Sequence, residues 1–101
     1  VHVNDIAGGH LLGLERMIYD NKSGIFNLGS GHGFSVREII SAVEDITGIG
    51  INSVEYDRRA GDPALLIADS SRAREILGWK PAYDLNKIIS TAWNWEKNRE
   101  Y

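Results

Sequence analysis

Helical and extended patterns of apolar residues alternate along this chain, and this alternation predicts a mixed α/β fold. The clearest helical signal is Ser35–Glu38, a capping box in which two side chains satisfy the first free N–H groups of a helix. An apolar stripe follows it and ends at Gly48, the residue type that closes helices best. An earlier helix is expected from a cap at Asn4 or Asp5 to about Tyr19. The two stripes comprise Ala7, Leu11, Leu14 and Ile18, and then Val36, Ile39, Ile40, Val43 and Ile46.

Short apolar stretches between the helices predict strands. Ile25–Leu28 and Ser53–Asp57 have the length and residue types of strands, and Leu65–Ala68 is expected to be extended. Val1–Val3 has the pattern of a strand end. Because the chain opens with Val inside such a pattern, we expect residues 1–101 to be a single fragment of a longer protein.

Two further helices are expected toward the carboxyl end. A short one runs from about Ser71 to Leu77 and is closed by Gly78. A last one is capped by Asp84 and carries an apolar stripe, after which the polar tail 96–101 is expected to fray.

Composition excludes several classes of function. The chain has no cysteine, so it has neither disulfides nor a thiol nucleophile, as is usual for cytoplasmic proteins. Its net charge of −3 argues against general binding to nucleic acid or to an anionic membrane. No apolar run approaches the roughly 18 residues of a membrane span.

The run Arg58-Arg59-Ala60-Gly61-Asp62-Pro63 is the strongest chemical signal. The guanidinium of Arg59 offers a planar fork of donors that fits phosphate oxygens, and Asp62 is an acceptor for the two hydroxyls of a sugar diol. Gly61 allows the chain to bend between them. This chemistry suits a nucleotide, with its diphosphate on Arg59 and its ribose on Asp62. On local chemistry alone, a solvated ion pair in a surface turn explains the run as well.

Several stretches in order together resemble the carboxyl-terminal part of UDP-glucose 4-epimerases, in the extended short-chain dehydrogenase/reductase superfamily. Each stretch alone is weak, but their order and spacing agree over nearly the whole chain. The stretches are V-H-V-N-D-I-A from Val1, G-I-F-N-L-G-S-G from Gly24, R-R-A-G-D-P-A from Arg58, A-D-S-S-R-A from Ala68, L-G-W-K-P from Leu77 and W-N-W from Trp93.

The resemblance implies the role of a substrate-binding segment. The fold implied is a small substrate-binding lobe plus a helix and a strand, near Gly24–Leu28, that belong to the Rossmann domain. NAD and the catalytic residues would lie upstream of Val1, so we assign no catalytic, cofactor-binding or metal-ligating residue here. Arg59 would bind the diphosphate of a UDP-sugar and Asp62 its ribose. The parent enzyme would interconvert UDP-glucose and UDP-galactose through a 4-keto intermediate, as a possible homodimer, and the isolated fragment would be inactive and self-associating.

Two alternatives stay open. The parent could be another nucleotide-sugar enzyme of the superfamily, such as a dehydratase or a decarboxylase. The chain could also be a non-catalytic interaction module that keeps only this fold.

Two motifs imitate cofactor and catalytic sites. The loop Gly29–Gly33, with Glu55 after it, imitates a dinucleotide-binding turn, but Phe34 or Val36 stands where the third glycine is needed. This segment is then interpreted either as a plain glycine turn or as a loop that faces a ligand through its N–H groups. Tyr83 and Lys87, with Ser70 and Ser71 upstream, imitate a dehydrogenase triad, but Tyr83 precedes the expected helix cap.

The histidines and tryptophans carry weaker signals. The histidines lack the spacing of metal ligands. The tryptophans are expected in the core rather than stacked on a base. These residues are His2, His10 and His32, and Trp79, Trp93 and Trp95.

Overall fold

The computed structural model describes residues 1–99, and helices are its regular elements. They are α1 (Val3–Tyr19), α2 (Val36–Thr47), a short π-helix (Ala73–Leu77) and α3 (Leu85–Asn98). Helix α1 packs against the short π-helix, and α2 packs against α3. The chain therefore forms two helix pairs, joined by extended segments.

Local capping residues set the ends of α2, the short helix and α3, as the sequence predicted. The Ser35 hydroxyl accepts a hydrogen bond from the N–H of Glu38 at 3.1 Å, and Gly48 ends α2 in the left-handed conformation. Gly78 closes the short helix in the same way. The Asp84 carboxylate accepts a hydrogen bond from the N–H of Lys87 at 2.8 Å and starts α3. Residues 96–98 of the tail expected to fray continue α3, and residues 100–101 lie outside the described part.

The predicted cap of α1 is wrong. Helix α1 begins at Val3, inside the expected strand end, and His2 caps it, because the His2 Nδ1 atom accepts a hydrogen bond from the N–H of Asn4 at 3.0 Å. The carboxylate of Asp5 is engaged elsewhere. It accepts hydrogen bonds from the N–H groups of Ala82 at 2.9 Å and Tyr83 at 3.1 Å.

The expected strands are not formed among residues 1–99. Segments 25–28, 53–57 and 65–68 have no regular ladder of hydrogen bonds. A strand exists only when its N–H and C=O groups pair with a neighbouring strand. Segments 25–28 and 65–68 are instead linked next to their ends by a side chain, because the Ser70 hydroxyl donates to the carbonyl of Gly29 at 3.1 Å.

The core lies where α1 meets the loop before α3. Trp79 is buried there, and its indole N–H donates to the carbonyl of Asp5 at 2.8 Å. Gly9 faces this indole, and a Cβ atom at Gly9 would lie 2.7 Å from Leu28 Cδ1 and 3.3 Å from Trp79 Nε1. A side chain at this position of α1 would therefore require both the Leu28 side chain and the indole to shift.

Much apolar surface is left outside this core. The chain exposes 8265 Å², against about 5,700 Å² for a compact protein of its mass. Its radius of gyration is 17.0 Å, against about 13 Å for a compact domain of this length. The stripe predicted on α1 belongs to this surface, because Leu11, Leu14 and Ile18 are exposed.

Gly9→Ala and Gly8→Ala form a matched pair on α1. We expect Gly9→Ala to lower the free energy of unfolding by about 1 kcal/mol, because the new methyl group displaces Leu28 and presses on a ring held by its own hydrogen bond. Gly8→Ala should raise it by up to about 1 kcal/mol, since a Cβ atom there meets nothing within 4 Å and alanine favours the helix. Urea unfolding followed by circular dichroism measures both changes, and equal effects would contradict the proposed role of Gly9.

Candidate functional site

The candidate site lies on the extended segment that joins α2 to the short π-helix. Residues 49–69 of this segment are all exposed. One contact joins it to α2 and one to the glycine loop: Glu55 forms an ion pair with Arg37 in the first turn of α2, and the Ser70 hydroxyl donates to the carbonyl of Gly29. Between these two contacts, the segment carries the turn that contains Arg59 and Asp62.

The structure brings Arg59 and Asp62 together in one tight turn. The N–H of Asp62 donates to the carbonyl of Arg59 at 3.3 Å, which closes a turn of four residues. Gly61, the third of these residues, has φ = 85°, a conformation that glycine adopts without strain. Across the same turn, Arg59 Nε donates to Asp62 Oδ2 at 3.0 Å.

The exposure of this pair decides what chemistry it can perform. The Arg59 side chain is 87% exposed and that of Asp62 is 43% exposed. The contact uses Nε of the guanidinium, so Nη1 and Nη2 take no part in it. These two nitrogens form the edge that binds two oxygens of an anion at once, which is how arginine holds phosphate groups.

The segment ends in a second polar turn. Asp69 Oδ1 accepts a hydrogen bond from the N–H of Ser71 at 3.0 Å. This backbone hydrogen bond, together with a side-chain hydrogen bond from Ser71, lowers the pKa of Asp69. Ser70 between them is buried and holds Gly29. The run A-D-S-S therefore anchors the segment to the glycine loop.

Tyr83 and Lys87 are not arranged as a catalytic pair. Tyr83 lies before Asp84, outside α3, and its ring stacks on His2 with 4.3 Å between the ring centroids. The acid-base chemistry of a Tyr-Lys pair requires both side chains on one face of a helix. The structure therefore agrees with the interpretation that their spacing is coincidental.

The glycine loop 29–33 packs against the extended segment. A Cβ atom at Gly29 would lie 2.8 Å from Ala68 Cβ, and one at Gly33 would lie 2.7 Å from Ile67 Cγ1. Glu55, which a dinucleotide site would use for a ribose, is paired with Arg37. The loop is a packing turn in this structure rather than the start of a dinucleotide-binding unit.

The histidines and tryptophans have separate structural environments. His2 is buried, and its Nε2 atom bonds to Thr91 Oγ1 at 2.9 Å. Within residues 1–99, no group of three or more His, Cys, Asp or Glu side chains is placed to hold a metal ion. Trp79 is in the core as expected, but Trp95 is 65% exposed, so the expectation of a core position was wrong there.

A cavity of about 510 Å³ lies apart from the turn, between the glycine loop, α2 and the start of α3. Its walls are mainly apolar and include Phe34, Ile39, Leu85 and Ile88, with neither Arg59 nor Asp62 among them. Concavity alone does not define a site, and this cavity lacks a set of convergent charged groups. The exposed turn, in contrast, brings a guanidinium and a carboxylate together.

The contact between Arg59 and Asp62 agrees with their proximity in the sequence, but the residues that hold distant parts of the chain together were not predicted. Asp5 and His2 were interpreted as a cap and as an isolated histidine, although each makes contacts with residues more than 70 positions away. No local pattern predicts such partners.

No helix among residues 1–99 has the length and apolar character that crossing a membrane would require.

Comparison with known proteins gives consistent results over the full chain. No family model matches it. A UDP-glucose 4-epimerase of Lacticaseibacillus casei is 54% identical over 99 residues, which are 97% of this chain and 30% of that protein. This chain thus spans about 30% of the length of the curated relatives it matches.

Solved structures of the same kind of protein share its fold. A UDP-glucose 4-epimerase from Stenotrophomonas maltophila, with bound NAD and formylated UDP-arabinopyranose, superposes with a TM-score of 0.90 at 39% identity. It is matched over 96% of this chain and 29% of its own. The enzyme from Bifidobacterium longum, in complex with NAD+ and UDP, gives a TM-score of 0.84 at 39% identity, over 97% of this chain and 29% of its own. The predicted fold class is confirmed, although the described residues form no sheet of their own.

Proposed function

We propose that this chain supplies the segment of a UDP-glucose 4-epimerase that holds the nucleotide of a UDP-sugar. The chain belongs to the UDP-glucose 4-epimerase family and matches a carboxyl-terminal portion of its members. The turn Arg59–Asp62 is the observation that carries this proposal. It presents a guanidinium edge and a carboxylate side by side on an exposed segment. In the proposed complex, Arg59 binds the diphosphate and Asp62 accepts hydrogen bonds from the ribose hydroxyls.

The whole enzyme would interconvert UDP-glucose and UDP-galactose through a 4-keto sugar. NAD supplies the hydride chemistry of such a reaction when it is bound. The glycine loop does not fit NAD, because it packs against Ala68 and Ile67 where a dinucleotide would need open backbone. We therefore assign NAD to the upstream domain. The residues of this chain hold the substrate by its nucleotide, and no catalytic residue is assigned among them.

The surface of the chain supports an organisation in which it is one part of a larger fold. The exposed stripe of α1 would pack against the NAD-binding domain, and the unpaired segment 25–28 would join the sheet of that domain. The remaining elements, with the Arg59–Asp62 turn, would form the substrate lobe. The cysteine-free composition suits a cytoplasmic enzyme, and we propose that location. We also propose a homodimeric parent on the family resemblance.

Arg59→Ala tests the proposed site. The variant is made in a full-length chimera, in which this chain replaces the matching portion of the Lacticaseibacillus casei relative. Losing a charge-assisted hydrogen bond to phosphate costs about 1.5–3 kcal/mol, so UDP should bind on the order of 10- to 100-fold more weakly by calorimetry. Arg59→Lys should restore only part of this affinity, since an ammonium group lacks the two-pronged edge.

Arg58→Ala is the matched control. It removes the same charge one residue earlier, outside the closed turn, and should reduce UDP affinity less than Arg59→Ala. NAD occupancy should stay the same in all three variants. If Arg59→Ala folds normally and binds UDP as tightly as the parent chimera, the turn is only a surface ion pair and the assignment is wrong.

The chain by itself should show no epimerase activity. Tyr83 is the tyrosine whose spacing from Lys87 imitates a catalytic pair. Its ring is stacked on His2 and lies outside α3, so it does not share a helix face with Lys87. Incubation with UDP-galactose and NAD, followed by separation of the sugars, should give no product above a buffer control. Turnover that disappears in Tyr83→Phe would show that this tyrosine is catalytic after all.

Self-association of the isolated chain is a further expectation of the proposal. The chain exposes about 2,600 Å² more than a compact protein of its mass, and a standard protein interface buries about 1,600 Å² in total. Sedimentation velocity over a range of concentrations should show assembly. Leu11→Gln combined with Leu14→Gln should weaken it, whereas Glu15→Gln on the same helix should not. A strictly monomeric chain that melts cooperatively would contradict the fragment interpretation as well.

A further inference from the structure

We propose that the ion pair between Arg59 and Asp62 makes this turn selective for a nucleoside diphosphate over free inorganic diphosphate. This inference rests on the proposed function, which places the diphosphate on Arg59 and the ribose on Asp62. It adds that Asp62 also acts against ligands that bring phosphate groups without a sugar diol. Asp62 is then a specificity-determining residue as well as a ribose contact.

The turn itself holds the carboxylate beside the guanidinium. The backbone hydrogen bond from Asp62 to Arg59 closes the turn at 3.3 Å, and the side-chain contact spans the same four residues at 3.0 Å. Gly61 provides the positive φ on which this closure depends. The juxtaposition therefore depends on four consecutive residues, and it is formed without contact to any helix.

An anion that binds Arg59 meets the charge of Asp62 at short range. An anion on the Nη1 and Nη2 edge lies about 6–7 Å from a carboxylate on Nε, and repulsion between two unit charges at this distance in water corresponds to roughly a threefold loss of affinity. A free diphosphate bears this loss in full, because it has only acceptors to offer to the carboxylate. Displacing Asp62 from Nε would also break the existing hydrogen bond.

A ribose next to the diphosphate changes this balance. Its hydroxyl groups are donors, and they can satisfy the oxygens of Asp62 while the phosphate oxygens occupy the Nη1 and Nη2 edge of Arg59. The same carboxylate thus repels one ligand and binds the other. Discrimination through a repulsive element of this kind is a general route to specificity.

Asp62→Asn tests this inference in the Lacticaseibacillus casei chimera defined above. Asparagine keeps the shape of the side chain but removes its charge. Inorganic diphosphate should bind about 3- to 10-fold more tightly, whereas UDP should bind more weakly, by less than the loss in Arg59→Ala. Calorimetric titration with each ligand, without divalent cations and at low salt, measures both changes.

Glu55→Gln is the charge-matched control. Glu55 lies on the same exposed segment, but it pairs with Arg37 and not with the turn. Its loss changes the net charge of the segment by the same amount. It should change the affinity for either ligand by less than Asp62→Asn does, because Glu55 is paired with Arg37 and its charge acts on the guanidinium of Arg59 from farther away.

The outcomes separate this inference from the proposed function. If Asp62→Asn leaves diphosphate affinity unchanged or weakens it, or if Glu55→Gln tightens diphosphate equally, the selectivity proposal is wrong, even where Arg59→Ala still loses UDP. If Arg59→Ala keeps UDP affinity, the proposed function fails first. Should the chimera not fold, phosphorus NMR titration of the isolated chain with inorganic diphosphate decides by the same comparison, because the turn is built from consecutive residues.

Discussion

The structure depends on the contacts that Asp5 makes from within α1. Its carboxylate accepts the N–H groups of Ala82 and Tyr83, and its carbonyl accepts the indole N–H of Trp79. The side chain is buried, so these bonds replace the water that it gives up on folding. One residue near the start of the chain thereby fixes the loop that leads into α3. His2 adds a second tie, from the first residue before α1 to Thr91 in α3.

This small core has to support an unusually large surface. Among residues 1–99, the buried apolar side chains are Ala73, Trp79 and Ile89, while the stripe of α1 remains exposed. An apolar stripe that is exposed on a helix indicates a surface that packs against another part of a protein. The exposed apolar residues therefore indicate packing against further parts of a longer protein. This agrees with the relatives, of which the chain covers only about 30%.

The turn formed by Arg59 and Asp62 does not depend on this exposed apolar surface. Its closure comes from a hydrogen bond and an ion pair across four residues, and from the conformational freedom of Gly61. An exposed pair of this kind contributes little to stability. The pair does hold a donor edge and an acceptor close together, and this is the arrangement on which the proposed binding of a nucleotide rests.

The sequence by itself determined whatever depends on neighbouring residues. The caps at Ser35 and Asp84, the closures at Gly48 and Gly78, and the meeting of Arg59 with Asp62 all follow from interactions over a few positions. Only the tertiary structure decided the role of Asp5. Its residue type suits a helix cap, but partners 77 and 78 positions away claim its carboxylate and leave the cap to His2. The same reason applies to the expected strands, since an extended segment becomes a strand only when another strand lies beside it, and no local pattern supplies that neighbour.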